Sequence, residues 1–308
     1  MTRIVSLLPA ATEIVCALGA ADQLVAVSHE CDYPPDISGL PRVTLTSIDP
    51  SSTSLEIDTE VRRLRTEGKA VIEVELDLLR QLRPDVILTQ DLCEVCAVAD
   101  GEVCRLATVL QPSPRMVSLR ARDLPQIWED IEAVGAAIGK SAQAGVLVRQ
   151  LEARIRSIPH DRLAERPRVV CVEWIDPLYL AGHWVPQQIE AAGGRDVGAA
   201  AGSHSVVTTW ETVERLYPDL VIVAICGFDL NRSLKELASL ADNHWLNTVR
   251  CPAWVLDGNA YTSRAGPRVV EGAELIHAAL RGMPMAGLKP YKKRSADYAD
   301  AADDSNNR

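Results

Sequence analysis

Two stretches of this chain repeat one another, and the joint they share restricts the fold more than any other feature. "LLRQLRPDVILTQ" (78–90) and "VERLYPDLVIVAI" (213–225) each run from the end of a helical pattern through Pro-Asp into an aliphatic, β-branched strand. A residue that precedes proline is pushed out of the α region, so the helix stops there. The unbroken aliphatic run that follows suits a strand covered on both faces. Met twice, the joint predicts two lobes of similar topology.

The flanking sequence agrees. "RIVSLL" reads as a strand, Thr12 to Leu18 as a short helix stopped by Gly19, and "LVAVS" as the next strand. Such alternation from the first residues is the pattern of parallel α/β units. With 308 residues there is room for two lobes that each bury a core, and a single Phe leaves that core to aliphatic side chains. The organisation read from the chain is an N-terminal α/β lobe over 1–122, a linking helical segment over 123–158, a C-terminal α/β lobe over 159–283 and a tail over 284–308. In the linking segment, Ile127, Ile131, Val134 and Ile138 form an apolar stripe at helical spacing, interrupted only at "GKS" (139–141). Its second half would reach roughly 24 Å as a rigid rod. The tail ends in "SADYADAADDSNNR", polar and acidic with almost nothing to bury, and reads as disordered.

Several function classes are excluded by composition and motif. A net charge of −10, with basic residues gathered only at Lys289, Lys292, Lys293 and Arg294, gives no nucleic-acid footprint. Neither a G-x-G-x-x-G after the first strand nor a G-x-x-x-x-G-K-[ST] is found, "GSHS" is not a nucleophile elbow, and H-E-x-x-H is absent. The apolar opening is broken by Pro9, Thr12 and Glu13 and carries one Arg, a poor match to a signal peptide. No apolar run reaches bilayer length, so membrane insertion is not expected. The chain is expected to be cytoplasmic, with its eight cysteines as reduced thiols or metal ligands.

Taken in order, "RIVSLLPAATEIVCALGA", "CDYPP" (31–35), "RPDVIL", "DPLYLAGHWVPQQIEAAGG" (176–194), "WETVERLYPDLVIV" (210–223) and "SRAGPRVVEG" (263–272) resemble a known family over roughly residues 3–282. It is the class III substrate-binding proteins of ABC importers, within it the cobalamin-binding branch. The resemblance implies two Rossmann-like lobes joined by one long helix, little hinge motion, and a small-molecule or metal-chelate ligand, cobalamin or another corrinoid, in the interlobe cleft. It also implies an acidic docking residue on each lobe, with Glu211 at the matching place in the second; the first lobe's counterpart is obscured by the cysteine stretch, where Glu102 is the candidate. Two departures are evident: no export signal, which argues against docking to an importer from outside, and a cysteine-rich stretch where the family has a simpler cleft loop. A genomic start upstream of Met1 would restore the exported reading.

Parallel sheets take their ligands outside the carboxyl ends of the strands, so the cleft lining can be read from the chain. The first lobe offers His29 and Cys31, then Cys93, Glu94 and Cys96; the second offers Trp174, Asp176, His183, Trp184, His204, Cys226, Tyr261 and Arg264. Cys93, Cys96 and Cys104, spaced C-x2-C-x7-C, are half of a zinc or iron site that Cys31 or His29 would complete. The same thiols suit a redox or catalytic role, which would make the protein a metal- or thiol-dependent enzyme using Cys93 and Cys96, or simple packing. Cys226, where a strand gives way to a loop, is either a nucleophile near backbone N–H groups or a small apolar packing residue. Cys16, Cys171 and Cys251 are assigned to the core. His183 and His204 are candidate axial ligands or acid–base groups, or merely solvated. Trp174 and Trp184 offer flat faces for stacking, or core bulk. Arg264 and Arg268 would clamp a carboxylate or phosphate bidentately, or form a salt bridge at a helix start.

Overall fold

The structure is a computed structural model and describes residues 1–90, 109–159, 166–241 and 244–291. The first lobe runs β1 (Ile4–Ser6), α1 (Pro9–Ala17), β2 (Leu24–Val27), β3 (Thr44–Leu45), α2 (Ser54–Thr66), β4 (Glu73–Val74), α3 (Leu76–Leu82), β5 (Val86–Gln90) and β6 (Arg115–Leu119). Two helices follow, α4 (Leu124–Ala137) and α5 (Ser141–Ser157). The second lobe runs β7 (Arg168–Trp174), β8 (Tyr179–Leu180), α6 (Val185–Ala191), β9 (Arg195–Asp196), β10 (Val206–Val207), α7 (Trp210–Glu214) and β11 (Leu220–Val223). It ends with α8 (Leu230–Ala238), α9 (Trp245–Thr248), β12 (Ala253–Leu256), α10 (Gly258–Tyr261), α11 (Val269–Leu280) and β13 (Leu288–Pro290). Among the described residues no helix is long and apolar enough to cross a membrane.

Among the described residues the first lobe is a parallel sheet in the order β2-β1-β5-β6. In the second, β7, β11 and β12 are parallel at the centre, flanked by antiparallel β8 and β10 on one side and β13 on the other. The sequence repeat is a structural repeat. In the first lobe the Arg3 amide donates to Asp85 Oδ2 at 2.7 Å, and its Nε donates to the Leu82 carbonyl at 2.7 Å. In the second the Arg168 amide donates to Asp219 Oδ2 at 2.8 Å, and its Nε donates to the Leu216 carbonyl at 3.0 Å. Arg83 and Tyr217, each directly before the proline, sit in the left-handed region with φ of 46° and 45°. This conformation is uncommon for a non-glycine residue. Each Pro-Asp joint therefore ties a helix end to the neighbouring strand by the same bonds.

Core packing divides the molecule into two faces. One cluster runs continuously from β1, α1 and β5 through Ile127, Ile131, Val134, Val148 and Leu151 of the linking helices to Ile222, Leu256 and α11. Because this core crosses from one lobe to the other, the lobes share buried surface on the linker side. The opposite sheet faces carry separate clusters, with Val5, Ile87 and Leu79 in the first lobe and Val172, Val223, Trp210 and Phe228 in the second.

Two expectations are corrected. Helix α1 starts at Pro9, earlier than Thr12, because proline suits the first helical turn. The chain beyond residue 284 is not all tail: Leu288, fully buried, and its neighbours pair antiparallel with β12. The surrounding Gly, Pro and Lys residues conceal this short strand from hydropathy. Residues 292–308 lie outside the described residues.

Candidate interlobe ligand site

Segments that follow strand ends of the two lobes are joined by side chains, the loop after β2 meeting the chain after β12. On the linker side, Glu13 of α1, 3% exposed, receives two arginines from the second lobe. Arg264 Nη1 donates to Glu13 Oε1 at 2.9 Å and to Asp32 Oδ1 at 2.6 Å, while Arg268 grips both Glu13 oxygens at 2.9 and 2.6 Å. Asn259 accepts from Arg264 and donates to Asp32, and the Arg268 guanidinium lies 4.1 Å from the Tyr33 ring centroid. Nearby, the Leu124 amide donates to Gln187 Oε1 at 2.6 Å.

His183 is held in an unusual turn. Its φ is 53°, its amide donates to the Ser203 carbonyl at 2.6 Å, and its own carbonyl accepts from the Gly202 amide at 2.9 Å. The preceding Gly182 has no room for a side chain: a Cβ there would stand 2.4 Å from the Ser203 carbonyl oxygen. The turn brings the His183 ring edge-on to His204, centroids 5.4 Å apart. Burial first, then the charges of His204 and Arg122, lower its pKa, so the imidazole is neutral at pH 7. Nε2 of His183 is buried without a hydrogen-bond partner among the described residues. Arg122 follows β6, so a first-lobe charge acts on this second-lobe imidazole.

His29, after β2, is also kept neutral, chiefly by burial and then by Arg42. Its Nδ1 lies 2.7 Å from Thr44 Oγ1, whose own proton goes to Ser28 at 3.0 Å. Nδ1 is then the donor, and Nε2 carries the lone pair. On the second lobe Trp174 is half-buried, edge-on to Phe228 at 5.6 Å, and its indole N–H has no acceptor among the described residues. Cys226 is a half-buried free thiol in the turn after β11.

Other expected site residues are placed differently. Arg264 is 5% exposed and saturated by Glu13, Asp32 and Asn259, so it joins the lobes and has no free face for a ligand anion. Trp184 is 5% exposed and packs into the core beside Val185 and Ile189, because α6 turns that face inward. The Tyr261 ring is half-buried, with one edge against the turn at Gly287, where a Cβ would approach its Cε2 to 2.7 Å. Cys31 is buried, exchanges a hydrogen bond with Thr12 at 3.2 Å, and burial pushes its thiol up to about 11, so it stands protonated here as part of the packing of α1. His204 is exposed beside His183. Cys93, Glu94, Cys96, Glu102 and Cys104 lie outside the described residues. Among the described residues no three His, Cys, Asp or Glu side chains converge on a metal position. Glu13, Asp32, Arg232 and Glu236 were not singled out as site residues; the "TSLE" at 53–56 was the available sign of an additional capped helix facing the second lobe. A groove of about 300 Å³ lies between the linking helices and α6, bordered by Leu124, Trp128, Ile155, Gln187 and Glu190.

A two-lobed α/β protein with two linking helices and the strand-end segments of its lobes in contact has a binding-protein architecture. The chain belongs to the periplasmic binding protein family, whose model matches residues 4–245. It is similar to the vitamin B12-binding protein of Vibrio cholerae, 23% identical over 288 residues, 89% of this chain and 87% of that protein. An ABC transporter substrate-binding lipoprotein of Bacillus subtilis is 23% identical over 283 residues, 88% of this chain and 77% of its own. Among solved structures, a periplasmic heme-binding protein of Pseudomonas aeruginosa superposes with a TM-score of 0.71 at 19% identity, covering 96% of this chain and 99% of that one. The periplasmic vitamin B12-binding protein of Vibrio cholerae superposes with a TM-score of 0.61 at 19% identity, covering 91% and 96%.

Proposed function

We propose that the protein binds a metal-bearing tetrapyrrole, a corrinoid such as cobalamin or a heme-type iron chelate, between its lobes. The observation that carries this reading is Trp174, a half-buried ring at a strand end whose indole N–H has no acceptor among the described residues. A planar macrocycle offers a face to stack on the accessible part of the ring, and a shift of the ring that exposes its buried N–H would bring that donor to the macrocycle's peripheral amides or carboxylates. His183 supports the same class: a neutral imidazole nitrogen without a hydrogen bond suits an axial position on a chelated metal. What the relatives named above bind points the same way.

The test is a fluorescence titration of the purified protein with cobalamin and, separately, with hemin. Saturable one-to-one quenching is expected for one of them, with Trp174→Ala raising Kd roughly tenfold. Absence of binding by both ligands at tens of micromolar would remove the reading.

A further inference from the structure

The linking helices join the lobes on one face of the sheets. On the opposite face the first lobe sends a second connection, built from α2 and the loop before it. Thr53 and Glu56 form a reciprocal capping box at the start of α2: the Thr53 amide donates to Glu56 Oε2 at 2.8 Å and the Glu56 amide to Thr53 Oγ1 at 3.3 Å. This fixes the entry of the helix. Directly after the cap, Ser54 places both its amide and its hydroxyl on Glu236 Oε1 of α8, at 2.8 and 2.6 Å. Arg232, one turn earlier on α8, donates to the Ser52 carbonyl at 3.2 Å. Its guanidinium lies 3.4 Å from the centroid of the Phe228 ring, a stacked cation. Ile57 packs against the second-lobe cluster that contains Phe228 and Trp174.

We propose that residues 52–57 are a clasp that closes the space between the lobes on the side away from the linker, and that its release governs access to the strand-end loop 226–229. The two connections differ in kind. The linker-side contact is built on Glu13 and Arg264, both at most 5% exposed, inside a core shared by both lobes. The clasp rests on half-buried Glu236 and Arg232, on one partly buried isoleucine and on Ser54, its one fully buried polar group. With fewer buried groups to expose, the clasp opens first, and the Glu13 contact stays closed as the pivot. Phe228 lies under the clasp through Arg232 and meets Trp174 edge-on, and Cys226, two residues before Phe228 in the same turn, is the thiol that reports access to this strand end. Which molecule the clasp admits rests on the reading of the preceding subsection; the clasp itself does not.

The test therefore uses no tetrapyrrole. In the full chain, Glu236→Ala, Glu236→Gln and wild type are compared by amide hydrogen exchange and by peptide-mapped alkylation of Cys226 with a bulky maleimide. Loss of two charge-assisted hydrogen bonds in Glu236→Ala is expected to speed exchange over residues 52–57 roughly tenfold, and Cys226 alkylation severalfold. Glu236→Gln, which keeps an acceptor oxygen, stays near wild type, and exchange in α1 is unchanged in every variant. Should Glu236→Ala fold poorly, Ser54→Ala removes the hydroxyl half of the contact and is expected to give the same pattern at smaller amplitude. Unchanged exchange over 52–57 would show that the contact does not hold. Faster exchange with unchanged Cys226 alkylation would show that it does not control access; either result overturns the proposal.

Discussion

Replacing Glu13 tests whether the two lobes are held together by a buried charge cluster. Glu13 is 3% exposed and Arg264 5%, and both guanidinium groups are bonded to the one carboxylate. Glu13→Gln keeps the shape but removes the charge. Arg264 is then left with Asp32, whose side chain is 53% exposed, and Arg268 loses its carboxylate partner in the cluster. Breaking a buried pair by removing one partner costs about 3–5 kcal/mol, because the remaining charge stays desolvated. At about 2–4 °C per kcal/mol for chains of this class, the thermal midpoint should fall by roughly 10 °C. Calorimetry and urea unfolding should report the same loss. Glu13→Met with Arg264→Met removes both charges and should be less destabilised than the sum of the two single variants, with a coupling above about 1 kcal/mol. A drop below about 1 kcal/mol for Glu13→Gln, or additive single effects, would refute the argument that these charges are buried and paired.

Asp130 is buried and accepts the amides of Arg120 and Ala121, yet burial, the largest influence, pushes its carboxyl up to about 6. A folded pKa above the unfolded value near 3.8 gives stability that is present in acid and lost as pH rises through about 6. Asp130→Asn should therefore raise the melting temperature at pH 7.5 and lose that advantage near pH 4, as followed by circular dichroism; an advantage that does not vary with pH would contradict this. Gly182→Ala places a Cβ 2.4 Å from the Ser203 carbonyl oxygen and should cost about 1–3 kcal/mol in urea unfolding. It should also change the environment of His183 and His204, visible in their imidazole NMR signals; unchanged stability and signals would mean the turn is looser than its geometry implies.

The parts of the fold that were legible in the sequence are those that local chemistry dictates. The Pro-Asp joints, the "GKS" break between α4 and α5 and the aliphatic strands all follow from proline geometry and from periodicity over a few residues. The family resemblance extended this to the lobes and the cleft. Long-range pairings were not legible. Nothing local marks Arg264 as a partner of Glu13, 251 positions away, so its role in joining the lobes emerges only when the strand ends converge. Trp184 follows His183 directly, yet the left-handed turn at His183 sends one side chain toward His204 and the other into the core. The strand at 288–290 was hidden because an edge strand with a Lys and a Pro carries almost no hydropathic signal.

The central claim is that a ligand sits between the lobes against residues of both. Its most direct test is amide hydrogen exchange of the whole protein with and without saturating cobalamin, repeated with hemin. The ligand that binds is expected to slow exchange at once in the loop 28–33 of the first lobe and in the segments 174–184 and 226–229 of the second. Slowing confined to a single lobe, or located at the groove between the linking helices and α6, would contradict it.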